Sequence, residues 1–266
     1  MGVNVAKKIT MKKREKSLPE LIKAYKKNHK LTRVDTNIGR CYTPDVMDQS
    51  TWKPSVTTME NIISKGIMFE RWIANFGGYD KVCDYVGKKA DDGTLVHEYI
   101  EDLLNKGKVD LPKDTEEHIK KYMQSFIEWY NEADIIPVEL ELQLYHKDVP
   151  FSGTADLVGY LDGKLVMIDW KTGNEYPTNH QIQLSCYMYL FNTLFPKYQV
   201  KEIYCLYVKS GWRKKPTFKL REYKYDSLVY KALTYLFNFN IAANKTKVAS
   251  KVEQVLPNTY KIKRRK

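Results

Sequence analysis

Residues 138–173 read VELELQLYHKDVPFSGTADLVGYLDGKLVMIDWKTG. VELELQLYHKDV alternates apolar and polar side chains, FSGTADLVGYL follows, and Asp162-Gly163 supplies a two-residue turn into KLVMIDW. The pattern predicts three strands after Pro137 in an antiparallel meander. Asp156 falls in the middle of the second strand, where a solvated carboxylate is out of place. Asp169 and Lys171 are two apart on the third, so both project from one face while Ile168 and Trp170 take the other. Burying two carboxylates together is costly unless a cation joins them, and oxygen ligands suit hard ions such as Mg²⁺ or Mn²⁺. The Trp170 carbonyl offers a further oxygen. Lys171 beside the ion can orient or deprotonate a water and offset charge on a phosphate under attack. This is equipment for phosphodiester hydrolysis.

Outward from the meander the chain reads helical. At Pro54-Ser55-Val56-Thr57-Thr58 a serine precedes the apolar run Met59, Ile62, Ile63, Ile67 and Met68, as a helix N-cap is written. Gly93 to Leu104 and Thr115 to Ala133 carry apolar residues three and four apart, with Asp114 placed to cap the second helix. Asn179 to Phe195 returns to helical periodicity, VKEIYCLYVK and PTFKLREYKY read as strands, and Ser227 to Ala243 as a closing helix. The order α-α-β-β-β-α-β-(β)-α predicts an α/β fold, a mixed sheet with flanking helices. Residues 1–50 are polar, with a helix-capable stretch from Pro19 to Asn28 and turn signals in TNIGR and YTPD, and are expected to have little core.

A chain of 266 residues buries a substantial core without covalent staples. Hydrophobic residues at 43% and charged residues at 29% exclude a disordered or collagen-like chain. No run approaches the roughly 18 apolar residues of a bilayer span, so no membrane association is expected. Cys41, Cys83, Cys186 and Cys205 form no CxxC pair, which signals neither a zinc site nor a disulfide framework and predicts core thiols in a reducing compartment. The net charge of +12 points to a polyanionic partner. Its distribution is uneven: residues 1–40 hold 12 Lys/Arg against 3 acids, residues 245–266 hold 8 against 1, and the stretch between is mildly acidic. Basic arms over 1–51 and 245–266, neutralising phosphates or simply aiding solubility, are expected around a domain over 52–244. A mitochondrial presequence is disfavoured, because the first 40 residues are rich in Lys rather than Arg and contain one serine, Ser17.

GTAD at 153–156, IDWKTG at 168–173 and a Q-x-x-x-Y from Gln183 to Tyr187 together resemble the PD-(D/E)XK nuclease superfamily in its RecB-type branch. The αβββαβ order, over a core of about 93–210, is similar to that restriction-endonuclease-like fold. Gly93-Thr94-Leu95-Val96-His97, with Glu101 four residues on, resembles the histidine motif of the same branch. With PSVTT at 54–58, the likeness is greatest to the family of the mitochondrial genome maintenance exonuclease and its phage and bacterial relatives, over about residues 52–210. The resemblance implies a metal-dependent DNA exonuclease that works from free ends, prefers single strands and leaves a 5′-phosphate, in replication, recombination or repair. It implies that Asp156, Asp169 and the Trp170 carbonyl hold Mg²⁺ or Mn²⁺, that His97 adds a nitrogen ligand and that Lys171 is catalytic. Gln183 and Tyr187, four apart and so on one helical face, then contact the DNA backbone or steady the site. Some relatives hold an iron–sulfur cluster on one cysteine before the histidine motif and three near the C-terminus. Here no cysteine follows Cys205, so no iron–sulfur cluster is expected. The cytoplasm of a bacterium or of a phage-infected cell suits a small basic exonuclease of this kind.

Other candidates keep two readings. Glu139 and Glu141 share a face of the first strand and serve a second metal, orient a water, or are merely solvated. Ser55 and Thr57, with Thr58, bind phosphate at a helix start or form a plain cap. The 20 tyrosines stack unpaired bases or fill the core. Two rival functions are a nuclease-fold protein that binds DNA ends without cutting, and an endonuclease of restriction type. Intact Asp156, Asp169 and Lys171 argue against the first, the histidine and Q-x-x-x-Y motifs against the second.

Overall fold

The computed structural model describes residues 16–210, 217–244 and 248. Helix α1 (Leu18–Asn28) opens at Ser17, whose backbone N–H donates to the Glu20 carboxylate at 2.7 Å, half of a capping box. It buries Leu18 and Ile22 in the core. Strands β1 (Thr32–Thr36) and β2 (Gly39–Thr43) form an antiparallel hairpin, and β3 (Lys53–Pro54) pairs with β2. A boundary at residue 51 therefore does not separate an arm from the body: the turn signals TNIGR and YTPD belong to a small sheet, and α1 contributes core. Residues 1–15 of the expected arm, and the basic tail over 245–266 apart from residue 248, lie outside the described residues.

The helix expected to run from Ser55 through Met68 is broken. Helix α2 (Val56–Met59) is a single turn capped by Ser55, whose hydroxyl accepts from the Thr58 N–H at 3.1 Å; a 3₁₀ turn over Glu60–Ile62 follows, and α3 (Ile67–Asn75) starts after Gly66 at φ +89°. Helix α4 (Tyr79–Lys106) has 28 residues, a length of about 42 Å. It is longer than the Gly93–Leu104 pattern because only its second half presents a regular apolar face, with Val96 and Ile100 buried, whereas the first half buries only Val82 among its apolar side chains. Helix α5 (Glu117–Glu132) begins after Glu116; Asp114 lies in the preceding turn and is not its cap.

The meander forms as its alternation predicts. Strands β4 (Ile135–Tyr145), β5 (Ser152–Leu161) and β6 (Lys164–Lys171) are antiparallel neighbours. Asp162 and Gly163 turn β5 into β6 at φ +50° and +76°, the left-handed pair that a two-residue hairpin needs. Helix α6 (Pro177–Leu194) crosses to β7 (Glu202–Lys209), which lies parallel to β6. Strand β8 (Thr217–Tyr223) then closes the edge, and α7 (Val229–Ala243) packs back. The result is a mixed sheet in the order β4-β5-β6-β7-β8. Helices α1, α2, α6 and α7 cover one face and α4 and α5 the other, so β5 and β6 are buried on both sides. Cys41, Cys186 and Cys205 are buried, but Cys83 is exposed on α4, so it is not the core thiol expected. Among the described residues no helix is long and apolar enough to cross a membrane.

At one level of the sheet the alternation fails. Leu140 and Leu157, paired across β4 and β5, pack with α4 and α5, while Leu142 and Ala155, the next recorded pair, pack in the opposite layer with α6. Residues two apart on a regular strand share a face, so both strands change faces at the residues between, Glu141 and Asp156. Glu141 has φ +46°, a conformation that a residue other than glycine adopts only under constraint. The two carboxylates stand where neither apolar layer claims them.

Candidate active site

The second half of α4 crosses the sheet beside this level and brings His97 to it. His97 Nδ1 stands 3.7 Å from Glu141 Oε1 and 3.7 Å from Asp156 Oδ2, and its Nε2 is 3.1 Å from the Trp170 carbonyl. The three side chains offer one nitrogen and two oxygens within 4.8 Å of one another. Asp156 is oriented from its neighbour strand, because the Trp170 backbone N–H donates to Asp156 Oδ2 at 2.9 Å. Glu141 Oε1 is buried without a hydrogen-bond partner among the described residues, an orphan acceptor of the kind a cation satisfies.

Asp169 and Lys171 share a face of β6, as their spacing predicts. Lys171 Nζ lies 2.6 Å from Asp169 Oδ2. Gln183 and Tyr187 sit one turn apart on α6, and the Gln183 amide donates to Asp169 Oδ1 at 3.2 Å and to the Tyr187 hydroxyl at 3.1 Å. Both α6 residues are buried. These hydrogen bonds steady the acid.

The electrostatics follow from crowding acids in a dry place. Burial, reinforced by Asp169 and then Glu141, pushes the Asp156 carboxyl up to about 8. Burial lowers the basicity of His97, but the Asp156 and Glu141 carboxylates outweigh it and hold the imidazole up at about 9. Lys171 is likewise disfavoured by burial yet raised above its ordinary value by Asp169 and Asp156, which keeps it cationic. Such a set, two carboxylates, an imidazole and a backbone carbonyl with a net demand for positive charge, fits a hard divalent ion. His97, Glu141 and Asp156 would hold it, with the Trp170 carbonyl alongside. Asp169 stands beside them, its Oδ1 accepting from Gln183 and its Oδ2 facing Lys171.

The remaining candidates divide. Ser55 and Thr57 line the same cavity, of about 1320 Å³, as the carboxylates do, although the Ser55 hydroxyl also caps α2 and lies 3.0 Å from Thr57 Oγ1. Glu139 is not at the centre: Lys26 of α1 pairs with it at 2.6 Å. The two glutamates that alternation treated alike thus part company. Glu60 went unnoticed in the sequence. It is buried, its Oε1 has no hydrogen-bond partner among the described residues, and burial raises it to about 8, with Lys171 pulling down and Asp169 pushing up. Its signal was a single acid inside the apolar run from Met59 to Ile63.

A sequence model described as the PD-(D/E)XK nuclease superfamily matches residues 88–259. Among solved structures, an alkaline exonuclease (LHK-Exo) from Laribacter hongkongensis is similar at 9% identity and a TM-score of 0.38, covering 73% of this chain and 91% of that one. No curated protein matches.

Proposed function

Because the chain belongs to the PD-(D/E)XK nuclease superfamily, we propose that it is a metal-dependent DNA exonuclease of the RecB-type branch, similar to the mitochondrial genome maintenance exonuclease. It hydrolyses phosphodiester bonds from free ends, prefers single strands, and serves replication, recombination or repair in a bacterial or phage-infected cytoplasm. The observation that carries this reading is the meeting of His97, Glu141 and Asp156 donor atoms within 4.8 Å, beside the Asp169–Lys171 ion pair.

Mg²⁺ or Mn²⁺, when bound, would supply Lewis acidity and neutralise phosphate charge. The protein's own groups do the rest. Asp156 is aimed by the Trp170 N–H, and His97 and Glu141 complete the donor set, with the Trp170 carbonyl alongside. Asp169 belongs to the acidic set as well and anchors Lys171. Lys171, kept protonated, offsets the negative charge that grows on the phosphate oxygens. Gln183 and Tyr187 fix the Asp169 carboxylate, and so the position of Lys171. Ser55 and Thr57 offer hydroxyls to the phosphate backbone, and the basic segments at 1–15 and 245–266 add a salt-sensitive attraction.

The test is digestion of end-labelled linear single-stranded DNA with Mg²⁺ or Mn²⁺, beside a Lys171→Ala protein and an EDTA control. Metal-dependent loss of label, absent in the variant, is expected, with circular single strands left intact. Cutting of the circles would make it an endonuclease. Binding without cutting in either metal would leave an end-binding protein on a nuclease fold.

A further inference from the structure

The cavity that holds the carboxylates also has a wall that serves no core. Helix α3 has no buried residue, and Ile67 and Met68 are 60% and 71% exposed. Its rings form a cluster instead: Phe69 stacks on Trp72 with centroids 5.6 Å apart and planes 28° apart, and Trp72 leans on Phe76 at 4.8 Å and on Tyr85 of α4 at 5.9 Å. Phe69, Trp72 and Tyr85 line the same cavity as Asp156 and Lys171. Lys65 bridges the opening, its Nζ 4.8 Å from the centroid of Phe69 and 5.5 Å from that of Tyr176, at the start of α6. Arg40 also lines the cavity.

An aromatic surface kept inside a charged cavity calls for a ligand with flat apolar faces and negative charge. Unpaired nucleobases on a phosphate chain have both; in a duplex the faces are stacked against one another and out of reach. We propose that Phe69 and Trp72 form a base-stacking wall for single-stranded nucleic acid, with Lys65 and Arg40 taking the phosphates and the strand lying between this wall and the carboxylate centre. The proposal rests on the nuclease reading and names the residues that give it a preference for unpaired strands. Stacking of this kind tolerates any base, since every base has a π-face.

The test uses a Lys171→Ala background, so that bound strands stay whole. Fluorescence anisotropy at fixed salt compares an oligothymidylate with an abasic strand of equal length and equal charge. The oligothymidylate should bind at least about tenfold tighter. Adding Phe69→Leu and Trp72→Leu, which keep α3 apolar and helix-compatible, should bring its affinity down to that of the abasic strand and leave abasic binding as it was. As a second readout with little structural perturbation, Trp72→Phe should keep the affinity and remove the tryptophan quenching that accompanies oligothymidylate binding. Equal affinity of the two strands for the parent, or an undiminished preference in the double leucine variant, overturns the wall. If the protein with Lys171 intact still digests linear DNA, that failure leaves the nuclease reading standing; if neither strand is bound or cut, both readings fall.

Discussion

The Asp156 carboxylate takes a 2.9 Å hydrogen bond from the backbone N–H of Trp170, the residue between Asp169 and Lys171. One strand thus aims the acid of its neighbour, and the same residue's carbonyl reaches back to His97. Folding this arrangement without a cation has a cost, which can be measured. Burial and the nearby acids raise Asp156 from 3.8 to about 8, so the folded chain holds a proton that the unfolded chain releases. The associated stability is complete below pH 3.8 and drains away as pH rises through about 8. Asp156→Asn removes the charge and keeps an acceptor for Trp170. It should abolish cleavage, yet raise metal-free stability at and above neutral pH by more than about 1 kcal/mol, or roughly 2–4 °C in Tm. A Tm equal to or below that of the parent in EDTA would count against the crowding argument.

Glu141 and Glu139 differ by two residues and should differ in kind. If Glu141 is a donor to the ion, Mn²⁺ should raise the parent's Tm by roughly 5 °C at a hundredfold excess over Kd. Glu141→Gln should lose most of that gain, whereas Glu139→Gln, which gives up only a surface pairing with Lys26, should keep it. Equal responses in the two variants would remove Glu141 from the metal set.

His180 reports on the layer behind the site. Its Nδ1 is 2.6 Å from the Tyr207 hydroxyl, which is 2.7 Å from that of Tyr223, and burial, helped by Lys171, holds the imidazole down at about 4. Below pH 6.5 the unfolded chain takes up a proton that the folded chain refuses until about pH 4. Stability is therefore full above pH 6.5 and falls across that window, by on the order of 3 kcal/mol. Urea midpoints across the window should drop for the parent and follow a flatter curve for His180→Asn, whose amide still meets Tyr207. Parallel curves would show that another group sets the acid limb.

Gly153 is the place where β5 admits the Tyr187 ring: a Cβ there would run into the ring's edge. Gly153→Ala should cost about 2 kcal/mol. It should also displace the hydroxyl that shares the Gln183 amide with Asp169, so that cleavage falls in a sample that is still folded. Pairing it with Tyr187→Leu, which opens the space, should restore stability without restoring cleavage. Recovery of both would mean that Tyr187 only fills volume.

Much of this architecture was legible because it obeys a period. The meander, its Asp-Gly turn and the shared face of Asp169 and Lys171 follow from alternation, and the buried stretches of α5 and α6 from spacings of three and four. What escaped does not repeat. The face change at Glu141 depends on a positive φ at a glutamate, which composition does not announce. Glu60 is buried by long-range packing of a short turn, and the overrun of α4 beyond its apolar half has no hydrophobic pattern to mark it. The α1 region was read as polar because its core contribution rests on three side chains, Leu18, Ile22 and Tyr25, among many lysines.

The face change across β4 and β5 also bears on how this chain can vary. The apolar residues on either side of Glu141 and Asp156 commit themselves to opposite layers, and the two acids between them are owed to neither. Positions of that sort are free of the volume matching that constrains a packed interior. Substitutions there change charge and donor chemistry without asking the packed layers to readjust, so a lineage can exchange the donors while inheriting the sheet.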